Sequence, residues 1–192
     1  MTRAYLLLLL VIGLAISCSN NEYSPKPRGY YRIDLPKKEY ILSETGCPFS
    51  FEIPTYSILL QDSLEKSAPC TKNLEFPQFN AKLHLSYFDI NNINTFDQLS
   101  EDARKFAFKH TAKATGIKQK LIKKPSHDVY GIEYFIDGNT ASNYQFYISD
   151  STKNYLRGAL YFKEKPNLDS IQPVLDFLEN DIKHLINTFR WK

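Results

Sequence analysis

The chain has 192 residues, of which 43% are hydrophobic and 14% are aromatic. This length and composition predict one globular domain with enough apolar side chains to form a core. Lysine and arginine number 24 against 21 aspartate and glutamate residues, which gives a formal net charge of +3. Because the basic residues alternate with acidic ones along the chain, the sequence disfavours nucleic-acid binding, which usually requires a face rich in Lys and Arg.

The N-terminal segment is typical of an export signal. One positive charge, Arg3, precedes the apolar run Leu6–Leu14, which is broken only by Gly13. Signal peptides have apolar runs of about 7 to 15 residues, whereas a transmembrane helix needs about 20. The run is therefore too short to span a bilayer, and we expect it to be cleaved.

The segment Leu14–Cys18 resembles the lipobox of bacterial lipoproteins, in which small residues precede a cysteine that receives a diacylglycerol. Ala15 stands where that pattern prefers leucine, and the polar segment Ser19–Glu22 follows the cysteine. We predict cleavage before Cys18 and attachment of diacylglycerol and palmitate to Cys18, because stable anchoring requires more than one acyl chain. The alternative is an ordinary secretory signal with a chance cysteine.

This signal and a proline-rich segment divide the chain into three parts. We assign residues 1–17 to a lipoprotein signal peptide, residues 18–38 to the lipidated N-terminus and a proline-rich tether, and residues 39–192 to a single globular domain. Proline fixes the backbone dihedral φ and cannot donate to a sheet, so the prolines of the tether favour an extended backbone. The tether would separate the domain from the membrane.

Two further cysteines, Cys47 and Cys70, lie in the exported part of the chain, where disulfides form and persist. A bridge between them would stabilise the fold by about 3 kcal/mol through the entropy of the unfolded chain. A zinc site is the weaker alternative, because the four histidines are scattered and fit no ligand spacing. Two buried free thiols remain a third interpretation.

Alternation of apolar residues with period two predicts several strands. They cover about residues 49–53, 81–87, 117–122, 129–136, 144–149 and 155–162. Short links with turn residues favour antiparallel pairing. Large apolar residues on both faces of the runs 129–136 and 155–162 indicate that both faces of the sheet are covered. His84 is expected at an exposed or edge position.

Two segments have the period of a helix. In the first, residues 95–116, Thr95 and Gln98 match a capping box, Gly116 would close the helix and His110 would be a boundary residue. The second covers about residues 169–191 and has Pro173 in its first turn. Four charged side chains of this helix are expected to face away from the core: Asp176, Glu179, Asp181 and Lys183.

These elements predict an α+β fold, with a single antiparallel sheet of about five to seven strands and two main helices packed on it. The order of the elements loosely resembles a PsbP-like sandwich. Fold similarity of this kind does not determine function.

No catalytic motif is found in the sequence. It contains no glycine-rich phosphate loop, no Gly-x-Ser-x-Gly elbow and no His-Glu-x-x-His pair. Asp150 and Ser151 are better explained by a turn than by a triad, and an acid pair of Asp137 with Asp150 is a weak possibility. We therefore expect no enzymatic activity, no cofactor, no metal site and no small-molecule substrate.

Several long, colinear segments resemble the gliding motility-associated lipoprotein GldD family of Bacteroidetes-type bacteria. They are Tyr23–Pro36, Cys47–Pro54, Phe76–Tyr87, Asp150–Phe162, Lys165–Ile186 and Trp191–Lys192. Together they span nearly all of the chain that follows the signal. None of them is by itself a chemical signature, so the resemblance depends on their number and order.

The resemblance implies an accessory lipoprotein that assembles or stabilises the gliding apparatus, a machine that shares parts with the type IX secretion system. Its expected partners are the membrane, through the lipid anchor, and other gliding and secretion lipoproteins and envelope proteins. Only Cys18 and, with it, the pair Cys47 and Cys70 carry over as site residues. Because Ser19–Glu22 supplies a single acidic residue, we expect the anchor to face the periplasm from the outer membrane.

Two other classes of function remain open from the sequence. A glycan- or small-ligand-binding lipoprotein could use exposed aromatic side chains as stacking platforms, and the candidates are Tyr30, Tyr31, Tyr144 and Tyr147. An unrecognised hydrolase would require a deep polar cleft with a converging acid, base or nucleophile.

Overall fold

The computed structural model describes Gly29, residues 32–62 and residues 70–192. The chain divides after Ile33, and the fold given below is that of the second unit, Asp34–Lys192. Its helices and strands, in chain order, are β1 (Tyr40–Cys47), β2 (Phe49–Pro54), β3 (Ile58–Gln61), β4 (Lys72–Phe76), β5 (Ala81–Asp89), α1 (Ile93–Phe108), β6 (Ala114–Lys124), β7 (Val129–Gly138), β8 (Tyr144–Ser149), β9 (Asn154–Phe162), α2 (Leu168–Thr188) and β10 (Arg190–Trp191).

Seven strands form one large sheet in the order β3-β4-β5-β9-β8-β7-β6, and each pair of neighbours is antiparallel. β1, β2 and β10 form a second, three-stranded antiparallel sheet. The α+β class with two helices and antiparallel sheets is therefore confirmed. The small second sheet was not expected, because its first strand buries the polar residues Ser43 and Thr45 and so has no apolar alternation.

The pleat of the large sheet sends alternate side chains to two different cores. On one face, Ala103 and Ala107 of α1 pack with three buried tyrosines, Tyr134, Tyr147 and Tyr155. The rings of Tyr147 and Tyr155 stack with their centroids 5.2 Å apart. Such aromatic pairs add about 0.5–1.5 kcal/mol to the burial of their area. Aromatic packing therefore contributes to holding α1 on the sheet.

α2 lies on the opposite face of the sheet, where its Lys183 stands 5.3 Å from the centre of the Phe135 ring. The apolar stripe of this helix is buried, and it includes Leu178, Ile182 and Leu185. The small sheet packs next to the helix through an aromatic cluster: Phe189, which follows α2, is 5.8 Å from the ring of Phe49. Phe49 in turn is 5.7 Å from the ring of Tyr87 in β5. Both faces of the large sheet are thus covered, as the sequence indicates.

Gly158 in β9 lies directly opposite Phe146 in β8. A Cβ atom built at Gly158 would lie 2.2 Å from the Phe146 ring, which is 1% exposed. Because Gly158 has no side chain, the Phe146 ring has room beside it. A larger residue at position 158 would overpack this part of the core.

The ends of both helices differ from the sequence-based expectation. α1 begins after Asn92, whose side chain accepts a hydrogen bond from the Thr95 backbone N–H at 3.0 Å. The Thr95–Gln98 capping box was therefore wrong, because Asn is an equally good cap and lies one turn earlier. Gly116 does not close α1 but lies in β6. A short 3₁₀ segment, Lys109–Ala112, follows α1 instead.

α2 ends at Thr188, and the next residues form β10 rather than a final helical turn. Pro173 lies inside the helix, beyond its first turn. His84 belongs to β5, an interior strand between β4 and β9, so the expectation of an edge position was wrong. Its ring nitrogen Nδ1 lies 2.8 Å from the Asn73 side-chain oxygen.

Candidate functional site

Among the residues singled out from the sequence, Cys18 lies outside the described residues, as do Tyr30 and Tyr31. Cys47 and Cys70 form a disulfide, with their Cα atoms 5.7 Å apart. Cys47 ends β1 of the small sheet, and Cys70 lies just before β4 of the large sheet. The bridge therefore ties the two sheets together.

The two aspartates weighed as an acid pair lie at opposite ends of the β7–β8 pairing. Asp137 follows the end at which Phe135 is opposite Tyr144, and Asp150 follows the end at which Tyr130 is opposite Ser149. The acid pair is therefore wrong, because the antiparallel register separates the two carboxylates. Asp137 is instead 3.2 Å from the Nζ of Lys118.

Asp150 organises the turn between β8 and β9. One carboxylate oxygen accepts hydrogen bonds from the backbone N–H groups of Thr152, Lys153 and Asn154 at 2.8–2.9 Å. Burial acts to raise the pKa of Asp150, but these hydrogen bonds outweigh it and leave the pKa below its usual value. Ser151 occupies the left-handed region in this turn, with φ at 65°. The turn interpretation therefore fits both residues.

Asp181 is the most deeply buried charged side chain of α2, with 1% of its surface exposed. The expectation that it faces away from the core was wrong. Three groups donate to its carboxylate: the Lys38 ammonium at 2.5 Å, the Tyr40 hydroxyl at 2.9 Å and the Tyr56 hydroxyl. Asp181 lies three residues after Leu178 and four before Leu185, so the helical spacing itself places it on the buried stripe.

The electrostatics of this Asp181 cluster favour a structural role. Burial, then the hydrogen bond to Asp181, raises the pKa of Tyr40 and of Tyr56, so both hydroxyls remain protonated donors at neutral pH. Burial lowers the pKa of Lys38, and the bond to Asp181 opposes that shift. Lys38 also donates to the Phe177 carbonyl at 2.8 Å and stands 3.4 Å from the centre of the Phe177 ring. The cluster thus fastens the chain that enters β1 to α2.

A second polar site lies between β6 and α2, and we call it the lysine cleft. Its volume is about 240 Å³, and its charged lining consists of one glutamate and four lysines: Glu133, Lys120, Lys123, Lys124 and Lys183. Positive charge therefore dominates the cleft, which suits an anionic group better than a cation.

Contacts at the base of the lysine cleft hold several of these groups in place. Glu133 is 4% exposed and accepts a hydrogen bond from the Tyr144 hydroxyl. Lys124 donates to the backbone carbonyls of Ile186, at 3.1 Å, and of Asn187, near the C-terminal end of α2. Helix C-termini favour cations, so this contact stabilises the end of the helix. Burial first, and then the charge of Arg190, lowers the pKa of Lys124.

A largely apolar groove lies on the other side of β6, facing α1. We call it the apolar groove, and its volume is about 260 Å³. Its large apolar and aromatic lining includes Phe96 of α1, Leu121 of β6, Tyr130 and Ile132 of β7, and Tyr147 of β8, and Lys123 of β6 also borders it. Leu121 is 78% exposed, which makes it the most exposed large apolar residue among those described.

A third cleft, of about 630 Å³, surrounds the end of the described chain and is lined mainly by polar residues. Trp191 contributes its aromatic ring, and its indole N–H donates to the Asp128 carbonyl at 3.1 Å. Arg190 supplies a positive charge to this cleft, and His127 supplies a titratable ring. Burial, then the charges of Arg190 and Lys124, lowers the pKa of His127.

Tyr144 and Tyr147 are not surface platforms. They are 0% and 8% exposed, because β8 is an interior strand whose two faces are covered by helices. The expectation that they could stack on a ligand was therefore wrong. His110 is half-buried, as expected for a boundary residue, and burial followed by the charge of Arg157 lowers its pKa.

Two kinds of feature are absent from the residues that the structure describes. No cluster of three or more His, Cys, Asp or Glu side chains in residues 32–62 and 70–192 is placed to bind a metal ion. Neither helix of this part of the chain combines the length and the apolar character needed to cross a membrane.

The fold defines an α+β domain in which a seven-stranded antiparallel sheet is covered by helices on both faces. The family model for the gliding motility lipoprotein GldD matches residues 20–191, and the chain belongs to that family. The resemblance drawn from the sequence segments is thereby confirmed. No curated protein matches the chain.

Among solved structures, the chain is similar to the solution structure of cyanobacterial PsbP (CyanoP) from Synechocystis sp. PCC 6803. The identity is 10% and the TM-score 0.45, with 84% of this chain and 98% of that chain covered. This neighbour is of the PsbP type that the order of elements suggested. The fold assignment itself rests on the strands and helices described above.

Proposed function

We propose that the protein is a lipoprotein anchored through Cys18, which assembles or stabilises the gliding and type IX secretion machinery without catalysing a reaction. Membership of the gliding motility lipoprotein family over residues 20–191 is the observation that carries the proposal. In this proposal, residues 1–17 are a signal peptide, and residues 18–38 are the lipidated N-terminus and tether. Residues 39–192 form the domain that acts in the periplasm while the lipid anchor lies in the outer membrane. Its partners are other lipoproteins and envelope proteins of the machine.

The pairing of the buried charges supports contact rather than chemistry. Asp181 is bound by Lys38 and two tyrosines, and Glu133 is bound by Tyr144. A catalytic carboxylate must be able to exchange a proton with a substrate, whereas these two carboxylates are held by hydrogen bonds within the fold. The lysine cleft and the apolar groove flank the same strand and offer the clearest surfaces for a partner.

A deletion strain complemented with plasmid-borne variants tests this proposal. We expect the deletion to abolish gliding and adhesin secretion, and the wild-type gene to restore both. Cys18→Ser should fail to restore them and should not incorporate palmitate, because the acylated thiol is lost. Ser19→Ala is the matched control, since it changes the adjacent residue and keeps the thiol. Normal gliding and secretion in the deletion strain would reject the proposal.

A second candidate is glycan or small-ligand binding in the cleft around Trp191. The combination of an aromatic ring with polar side chains in one cleft favours it. Trp191 is the single tryptophan of the chain, so its fluorescence reports on this cleft directly. Titration with soluble peptidoglycan fragments should quench or shift that fluorescence if the candidate is right. An unchanged spectrum would remove it.

A further inference from the structure

Strand β6 forms one edge of the large sheet and is its longest strand among the described residues. It runs over 11 residues, and within the described part of the chain it pairs only with β7. An edge strand of this length presents a row of backbone N–H and C=O groups with which a further strand can pair. The two sides of the sheet next to this edge determine which strand would fit.

On the side where α2 lies, β6 carries positive charge. Lys118, Lys120 and Lys124 share this face, because residues two apart in a strand point in the same direction. The Lys120 side chain is 65% exposed, and its Nζ is 3.7 Å from the carboxylate of Glu133. Lys183 of α2 adds a further cation to the lysine cleft. A strand added here would therefore face three lysines, with the buried Ile122 between Lys120 and Lys124.

On the side where α1 lies, β6 carries an apolar surface. Leu121 points to this side, opposite Ile132 of β7, and both residues line the apolar groove. Phe96 of α1 forms the opposite wall of the groove. The remaining residues of an added strand would point to this side, where an apolar side chain would remove Leu121 from water.

We propose that β6 pairs with an extended segment of a partner protein in which apolar and acidic residues alternate. The proposal rests on the proposed function and specifies the partner surface that it requires. The added strand continues the pleat of the sheet, so its apolar residues contact Leu121 and the apolar groove while its carboxylates approach the lysines of the cleft. Main-chain hydrogen bonds supply affinity, and the alternation supplies specificity.

Two other occupants fit this edge less well. A second copy of the chain would bring one lysine row against another, and like charges opposite each other across strands destabilise the pair. A planar lipid surface would reach only one side of the sheet, whereas Lys118, Lys120 and Lys124 lie on the side opposite Leu121 and the apolar groove. Lysines on an edge strand can also serve to prevent aggregation between sheet edges. That explanation fits β6 less well, because the exposed Leu121 on the same strand favours association.

The test uses the purified full chain in detergent and two fluorescent peptides as long as β6. One peptide alternates valine and glutamate, and the other has the same composition with all valines before all glutamates. We expect the alternating peptide to bind at least about tenfold more tightly, and more weakly as salt is added. Hydrogen exchange should slow in residues 114–124 on binding and stay unchanged in residues 58–61, which form the opposite edge.

Matched variants separate the two sides of the edge. Lys118→Gln with Lys120→Gln should weaken binding about three- to tenfold and reduce its salt dependence. The control with the same charge change is Lys153→Gln with Lys165→Gln, at two exposed positions away from β6. Leu121→Lys should weaken binding about tenfold, because it removes an apolar contact. Leu60→Lys, on the opposite edge at 47% exposure, is its control and should have no effect.

Equal binding of the two peptides, or normal binding by the variants at positions 118, 120 and 121, would overturn the proposal. So would binding to phosphatidylglycerol vesicles in place of the peptide, or a dimer that the Leu121→Lys variant disrupts. These results are independent of the complementation test. If the peptide fails to bind while the deletion strain cannot glide, the edge-strand inference is wrong and the proposed function stands.

Discussion

Replacing Asp181 by asparagine should destabilise the domain more than any other single change of a charged residue in α2. The substitution keeps the size of the side chain and removes its charge. Lys38 then loses the carboxylate that binds it, while its side chain remains 70% buried, since 30% of it is exposed. The hydroxyls of Tyr40 and Tyr56 lose a charged acceptor as well.

The size of the effect follows from the burial of the pair. Removing one partner of a buried ion pair costs about 3–5 kcal/mol. Because the Lys38 ammonium has partial access to water, we place the loss for Asp181→Asn at about 2–4 kcal/mol. This is a large part of the roughly 5–15 kcal/mol that stabilises a typical domain.

Urea unfolding followed by circular dichroism measures this loss. With a slope of about 2 kcal/mol per molar urea, the midpoint should fall by about 1–2 M. Asp176→Asn, at an exposed position of the same helix, is the control and should change stability by less than about 0.5 kcal/mol. In a double-mutant cycle with Lys38→Met, the two changes should couple by at least about 1 kcal/mol. An Asp181→Asn midpoint equal to that of Asp176→Asn would refute the reasoning.

Three further outcomes are expected. Replacing Cys47 and Cys70 by serine should cost about 3 kcal/mol in urea unfolding, because the bridge closes a loop over a sequence separation of 23; unchanged stability on reduction would contradict this. Gly158→Ala should cost about 1–3 kcal/mol by the same measurement, since its Cβ would meet the Phe146 ring at 2.2 Å, and Phe146→Leu should recover part of the loss; a Gly158→Ala variant as stable as wild type would contradict it. Burial raises the pKa of several core tyrosines, that of Tyr134 to about 12. The unfolded chain therefore releases protons near pH 10 that the folded chain retains, so the stability is fully present below about pH 10 and falls as the pH rises toward 12; a free energy of unfolding that stays constant over this range would contradict the assignment.

The sequence predicted the elements that bury an apolar stripe. β2, β5, β6, β7, β8 and β9 were found from alternation, and both helices were found from their helical period. These elements face a core on at least one side, so their apolar residues recur with the period of the backbone. The class of fold follows from them.

The strands that were missed are β1, β3, β4 and β10, and none of them shows a clear apolar alternation in the sequence. β4 is short and buries the polar Asn73 next to Leu74. β1 buries Ser43 and exposes Leu42, and β3 exposes Ile58 and Leu60. These strands lie at the edges of their sheets, where pairing through the backbone stabilises a strand whose side chains carry no periodic signal. β10 was hidden because Phe189 extends the apolar stripe of α2 beyond the helix.

The candidate surfaces depend on contacts between distant parts of the chain. The spacing of Asp181 within the buried stripe could have identified it, but its partner Lys38 lies 143 residues away in the segment assigned to the tether. The lysine cleft likewise joins β6 to α2, which are separated by three strands in the sequence. Side-chain periodicity reports on one element at a time and cannot place two elements together.

In the function proposed above, this lipoprotein keeps the gliding and secretion machinery assembled by contact at the membrane. Depletion of the protein in growing cells, followed by quantitative mass spectrometry of the membrane fraction and of isolated gliding complexes, tests it most directly. We expect other components of the machinery to decline or to leave the complexes before gliding stops, and re-expression of the wild type, but not of Cys18→Ser, to restore them. Complexes that remain intact and abundant after gliding has stopped would contradict the claim.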